Sequence, residues 1–94
     1  MKIKHWQGYG TVNAKKLFMN TSDDGITELV IEVKGNHEWG LVRDDEYDVA
    51  NWLVKRFDKD FIDYRDIIYL KIDEDYDIDT HEDIAIYTIN YKTR

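Results

Sequence analysis

Ninety-four residues without proline or cysteine, at a formal net charge of −7, set the limits of what this chain can be. That length makes a single domain over residues 1–94 with one modest hydrophobic core, and 43% hydrophobic with 14% aromatic residues argue against disorder. The lack of cysteine excludes disulfides and thiolate metal sites.

The charge is unevenly placed. Residues 1–22 hold Lys2, Lys4, Lys15 and Lys16 and no carboxylate, so all 20 Asp and Glu lie from Asp23 onward. No apolar run approaches the ~18–20 residues of a membrane span, and Met1–Trp6 lack the apolar block of a secretory signal. The expected location is cytoplasmic.

In chain order, a first strand is expected from about Ile3, with Gly8 and Gly10 as candidate kinks. Asn20-Thr21-Ser22-Asp23-Asp24-Gly25 is a dense turn signal that pairs Lys15–Met19 antiparallel with Ile26–Lys34. Leu29, Ile31 and Val33 alternate there with Glu28, Glu32 and Lys34, the period-2 pattern of a strand with one buried face. Gly35-Asn36 tolerates positive φ, and a hairpin return over His37–Val42 is expected after it.

Asp44, Asp45, Glu46 and Asp48 then supply a cap and a negative first turn. Val49, Trp52, Leu53 and Phe57 follow at helical spacing, with Lys55 and Arg56 in the last turn, so a helix spans about Asp45–Phe57. Asp58–Asp66 reads as a short helical turn or a loop. Two strands, Ile67–Ile72 and Ile84–Tyr91, close the chain, with Tyr69 and Tyr87 as candidate core tyrosines. The acidic run Asp73–Asp83 is expected to be the loop between them. These elements predict an α+β fold: an antiparallel sheet of about four to five strands with one main amphipathic helix packed on one face.

The acidic run resembles a calcium loop in its alternation but fails it in detail. Such a loop needs glycine at its sixth position and a bidentate Glu at its twelfth. Counted from Asp73 those positions hold Ile78 and Ile84, and counted from Asp75 they hold Thr80 and Ile86. An irregular divalent-cation site, a solvated loop that keeps two edge strands soluble, and a docking surface for a basic partner all stay open. His5, His37 and His81 form no two-His spacing, and no metal or cofactor is expected. His81 sits among carboxylates in the acidic run and is read as an exposed loop residue.

Ser22 is the only serine and lies in a turn signal, and Gly8-Tyr9-Gly10 is too short for a phosphate loop. No enzyme is expected. Four N-terminal lysines interleaved with Trp6 and Tyr9 make a weak nucleic-acid footprint on an acidic chain, and direct nucleic-acid binding is not expected. Tyrosines set beside carboxylates, by contrast, suit a cationic groove.

The stretch Asp24–Val33, the turn Gly35-Asn36, Glu38-Trp39-Gly40-Leu41 and the acid-capped helix after it resemble small phage-encoded anti-CRISPR proteins, which inhibit the RNA-guided DNA nuclease of type II systems. The resemblance covers roughly Asp23 to Phe57. It implies acids that imitate DNA in the nuclease's arginine-lined PAM-reading cleft, with Asp44, Asp45, Glu46 and Asp48 as the matching positions.

The expected function is therefore a small acidic inhibitor or nucleic-acid mimic that docks onto a basic nucleic-acid-binding protein. Asp73, Glu74, Asp75, Asp77, Asp79, Glu82 and Asp83 are the first candidate contacts, seconded by Asp44, Asp45, Glu46 and Asp48. The alternative is a non-catalytic phage or mobile-element accessory or assembly domain, a homodimer among its forms, whose acids serve solubility.

Overall fold

The computed structural model describes residues 2–4, 11–35, 46–61 and 64–93. Its elements are β1 (Lys2–Lys4), β2 (Thr11–Thr21), β3 (Ile26–Gly35), α1 (Glu46–Phe57), a single 3₁₀ turn (Tyr64–Asp66), β4 (Ile67–Asp77) and β5 (Glu82–Lys92). All strand pairs are antiparallel, in the spatial order β1-β2-β3-β5-β4. Four long strands carry the sheet, and the three-residue β1 borders only Thr11–Asn13 of β2. The fold is α+β, as the alternation of strand and helix patterns predicts.

Strand β3 lies inside the sheet, with β2 along one side and β5 along the other. Its expected alternation holds: Thr27, Leu29, Ile31 and Val33 are buried, while Val30, Glu32 and Lys34 are half-buried. Directly across on β5 stand Tyr91, Ile89, Tyr87 and Ala85, also buried. Directly opposed residues share a face, so this register builds one apolar surface from both strands. Burial of a side chain of this kind is worth about 1.5–3 kcal/mol. Both sides of Ile26–Lys34 are thus taken by β2 and β5. The hairpin return expected over His37–Val42, like the candidate kinks at Gly8 and Gly10, lies outside the described residues.

Helix α1 presents Val49, Ala50, Leu53 and Val54 to the same buried cluster, with Trp52 and Phe57 packed against it. Lys55 and Arg56 close its last turn, where cations complement the helix dipole. The Arg56 guanidinium lies 5.6 Å from the Trp52 ring, one turn back. Asp58 then ends the helix and ties it to the sheet. Its Oδ1 accepts the Asp60 N–H at 3.0 Å, and its Oδ2 accepts the buried Tyr91 hydroxyl at 2.7 Å. Phe61 packs edge-on against the Tyr91 ring, 5.1 Å between centroids.

Tyr69 departs from its expected place in the core. It is 47% exposed, while Tyr87 is buried as expected and Tyr91 joins it. The cause is an irregularity between Ile67 and Tyr69 that inserts one residue into β4. Such a bulge reverses the facing of everything after it, and Tyr69 turns to the other side of the sheet, opposite Asn90.

The β2–β3 connection uses Ser22 as a structural residue. Its N–H donates to the Ile26 carbonyl at 2.8 Å, and its hydroxyl reaches both that carbonyl and the Asp24 carboxylate. Gly25 adopts φ +81° and donates to the Ser22 carbonyl at 3.0 Å. Among the described residues a Cβ there would meet the Thr93 carbonyl oxygen, at an ordinary 3.9 Å, so the cost of another residue lies in the positive φ. Gly25→Ala should destabilise the protein by about 1–2 kcal/mol and Gly25→Asn by less, measured by urea denaturation.

Burial, and then the Asp58 bond, raise the Tyr91 phenol above its ordinary pKa. The phenol ionises in the unfolded chain above about pH 10 but keeps its proton in the fold. This bond therefore contributes fully below pH 10, and stability falls as pH climbs past that point. Tyr91→Phe should cost about 1.5–3 kcal/mol, the range for a hydrogen bond to a charged group. Chemical denaturation across pH 8–11 should also show the variant losing the part of the alkaline decline that Tyr91 supplies.

Candidate functional site

The acidic run is not a loop. Strand β4 continues through Asp73, Glu74, Asp75 and Tyr76 to Asp77, and β5 begins at Glu82. The ladder pairs Asp73 with Ile86, Glu74 with Ala85, Asp75 with Ile84, Tyr76 with Asp83 and Asp77 with Glu82. Only Ile78–His81 form the turn between the strands. The physical reason is that β4 is an edge strand. Its acids keep their hydration there while their backbone completes the β5 ladder, so pairing requires no charge to be buried.

This register sorts the candidates by face. Glu74 stands opposite buried Ala85 and therefore lies on the core-facing side of the sheet, as do Tyr76 and Asp83, which face each other. Asp73, Asp75, Asp77 and Glu82 share the opposite side. Asp79 lies in the turn and is exposed. Of the second group, Asp48 is exposed on α1 and Glu46 is the first helical residue, while Asp44 and Asp45 lie outside the described residues.

Asp77 differs from its neighbours because the fold already uses it. Its Oδ2 meets the Lys34 ammonium at 2.5 Å, and both side chains are about a quarter exposed, at 23% and 25%. Its Oδ1 accepts the N–H groups of Asp79 at 2.9 Å and Thr80 at 3.3 Å, and its carbonyl accepts the His81 N–H at 2.8 Å. The side chain thus caps the turn it opens. The Lys34 bond, followed by the Asp79 N–H, lowers the Asp77 carboxyl to a pKa of about 2, and Lys34 is raised by the same contact. Lys34 was legible in the sequence only as a solvent-side strand residue. Its role appears once β5 is known to lie between β3 and β4.

His81 takes the left-handed backbone conformation at φ 59° that closes the turn. Its Nδ1 lies 3.2 Å from the Tyr76 hydroxyl. Lys71 and Asp73 form a looser pair at 3.5 Å, both 56% exposed, a geometry that contributes little in water. Exposed apolar groups flank the acids: Tyr76 at 39% and Ile78 at 75% near the turn, Tyr69 further down the strand.

Among the described residues no group of three or more His, Asp or Glu is placed to hold a metal ion, and no helix there is long and apolar enough to cross a membrane. Compared with known proteins, the chain matches no family model, no curated protein and no solved structure.

A carboxyl whose pKa is lowered by folding stabilises the fold above its unfolded value, and that contribution disappears as pH falls through the folded one. For Asp77 the window runs from 3.8 down to about 2. Asp77→Asn keeps an acceptor for the turn but loses the Lys34 charge pair, and Asp77→Ala loses both. At neutral pH the thermal midpoint should fall from wild type to Asn to Ala. The gap between wild type and the Asn variant should narrow as the pH of the melt is lowered from about 4 toward 2.

Proposed function

We propose that this protein is a non-catalytic inhibitor that sets the β4–β5 hairpin into a cationic cleft of a nucleic-acid-binding protein, in place of nucleic acid. The reading carries the anti-CRISPR resemblance forward, with the RNA-guided DNA nuclease of type II systems as the partner to test first. The buried residues of α1 join the cluster built by Leu29, Ile31, Tyr87 and Ile89, and the exposed Asp73 and Asp75 lie on the other side of the sheet.

The observation that supports this reading is the register of β4. Asp73, Asp75 and Asp77 recur every second residue along an extended strand, which spaces them by roughly 6.8 Å. That is about twice the 3.4 Å axial spacing of phosphates along one DNA strand. A cleft whose arginines are set for a phosphate backbone therefore meets carboxylates at a commensurate interval. Arg–carboxylate contacts are charge-assisted and often bidentate, and the net charge of −7 steers the encounter. Exposed Tyr69 on the same side adds an amphipathic ring suited to an interface.

Asp73→Asn, Asp75→Asn and Glu82→Gln combined leave the Asp77 cap intact and remove three charges from the proposed docking side. Binding to the guide-loaded nuclease, followed by biolayer interferometry, should weaken by about 3- to 150-fold, from three contacts at roughly 0.2–1 kcal/mol each. Wild-type affinity should drop steeply between low and high salt. Unchanged affinity of the triple variant, or no binding by the wild type at low salt, would sink this reading.

A further inference from the structure

Of the five glycines only Gly25 follows an Asp or Asn, and an Asp-Gly junction is open to backbone isomerisation. Glycine has no side chain to shield its nitrogen, so the Gly25 nitrogen can attack Cγ of the Asp24 carboxyl. The N–Cγ bond forms, a Cγ–O bond breaks, and the amide proton leaves with the carboxyl hydroxyl as water. Water then opens the cyclic imide. Cleavage of the N–Cγ bond restores Asp24. Cleavage at the Asp24 carbonyl carbon instead leaves the main chain running through Cβ and Cγ, one methylene longer.

The folded turn opposes each part of this step. The Gly25 N–H donates to the Ser22 carbonyl at 3.0 Å, and the Gly25 carbonyl accepts the Thr93 N–H at 2.8 Å. Both sides of residue 25 are thereby fixed, and the proton that must leave is held. The Ser22 hydroxyl donates to Asp24 Oδ1, which ties the carboxyl back toward residue 22 and away from the Gly25 nitrogen. Ser22 is itself anchored on the Ile26 carbonyl, by its N–H at 2.8 Å and its hydroxyl at 3.1 Å. Asp24 is nevertheless exposed and Gly25 only half-buried. Water reaches the site, so the hydrogen bonds and not burial are the barrier.

We propose that Asp24–Gly25 is an isomerisation site that the native turn holds in check, with Ser22 as the residue that restrains it. Escape has a structural consequence. An extra methylene between Ser22 and Gly25 changes the spacing that sets the Gly25 N–H on the Ser22 carbonyl, and with it the entry into β3 at Ile26 and the bond to Thr93. The site lies in the β2–β3 turn and does not depend on what the β4–β5 hairpin binds.

The test is ageing of the full-length protein in mildly acidic buffer, with and without guanidinium chloride, followed by trypsin digestion. The peptide Leu17–Lys34 carries the site, and its isoaspartyl form is separated by chromatography and identified by electron-transfer fragmentation. Native wild type should isomerise about 5- to 150-fold more slowly than the unfolded chain, the rate equivalent of two hydrogen bonds at their usual net strength. Native Ser22→Ala should age faster than native wild type by about 2- to 13-fold, the equivalent of one such bond, and Ser22→Thr should stay close to wild type. Asp77→Ala weakens the fold at the other end of the sheet and should age as wild type does, which separates the restraint from general unfolding. Asp24→Glu, whose longer side chain must close a larger ring, should give no isomer at the site. A native rate equal to the unfolded rate, a Ser22→Ala variant that ages as slowly as wild type, or Asp77→Ala ageing as fast as Ser22→Ala would each overturn the proposal.

Discussion

The pairing of β3 with β5 is the constraint on which the rest of this structure depends. These strands are distant in sequence: Leu29 pairs with Ile89 and Ile31 with Tyr87, about 60 residues apart. Closing a loop of that length is not the main obstacle, because each doubling of loop length adds only about 0.6 kcal/mol. Against it stand the fully buried Leu29, Ile31, Val33, Tyr87 and Ile89, at about 1.5–3 kcal/mol for each such side chain. Burial wins by a wide margin. Once β5 is drawn beside β3, β4 has only the outer place left, and that is where an acid-rich strand can exist without desolvating its charge. The same insertion sets Lys34 across β5 from Asp77 and Tyr91 beneath Asp58.

Much of this was legible in the sequence where the signal was local. The alternation of Leu29, Ile31 and Val33, the turn at Ser22–Gly25, and the stripe of Val49, Leu53 and Val54 each rest on a spacing within one element. What escaped was non-local or masked by charge. Nothing in residues 26–35 announces that β5 rather than the following segment is their second neighbour. The strand character of Asp73–Asp77 was hidden because acids in number read as loop, although their every-second-residue recurrence is itself a strand period. Tyr69 was misassigned because one inserted residue reverses the facing of a strand, and no residue type marks that insertion.

The acidic candidates, listed together by composition, become unequal in the structure. Asp77 is spent on the turn and on Lys34, so its charge belongs to the fold before it belongs to any partner. Asp73 and Asp75 stand beside it on the same side with greater exposure, and Glu74 and Asp83 lie on the other. Asp48, on α1, belongs to a different element altogether. A set of acids in a flexible loop would offer only charge density. On a strand they offer spacing as well, and spacing is what distinguishes recognition of an ordered row of cations from general attraction to a basic surface.

The basic start and acidic remainder of the chain translate into two unlike sheet edges. β4 ends the sheet with carboxylates, which oppose pairing with another copy of itself. On the other side the short β1 borders Thr11–Asn13 of β2, and Lys15 and Lys16 stand just before Leu17, Phe18 and Met19, with a bulge between Lys16 and Phe18; lysines and bulges both discourage edge pairing.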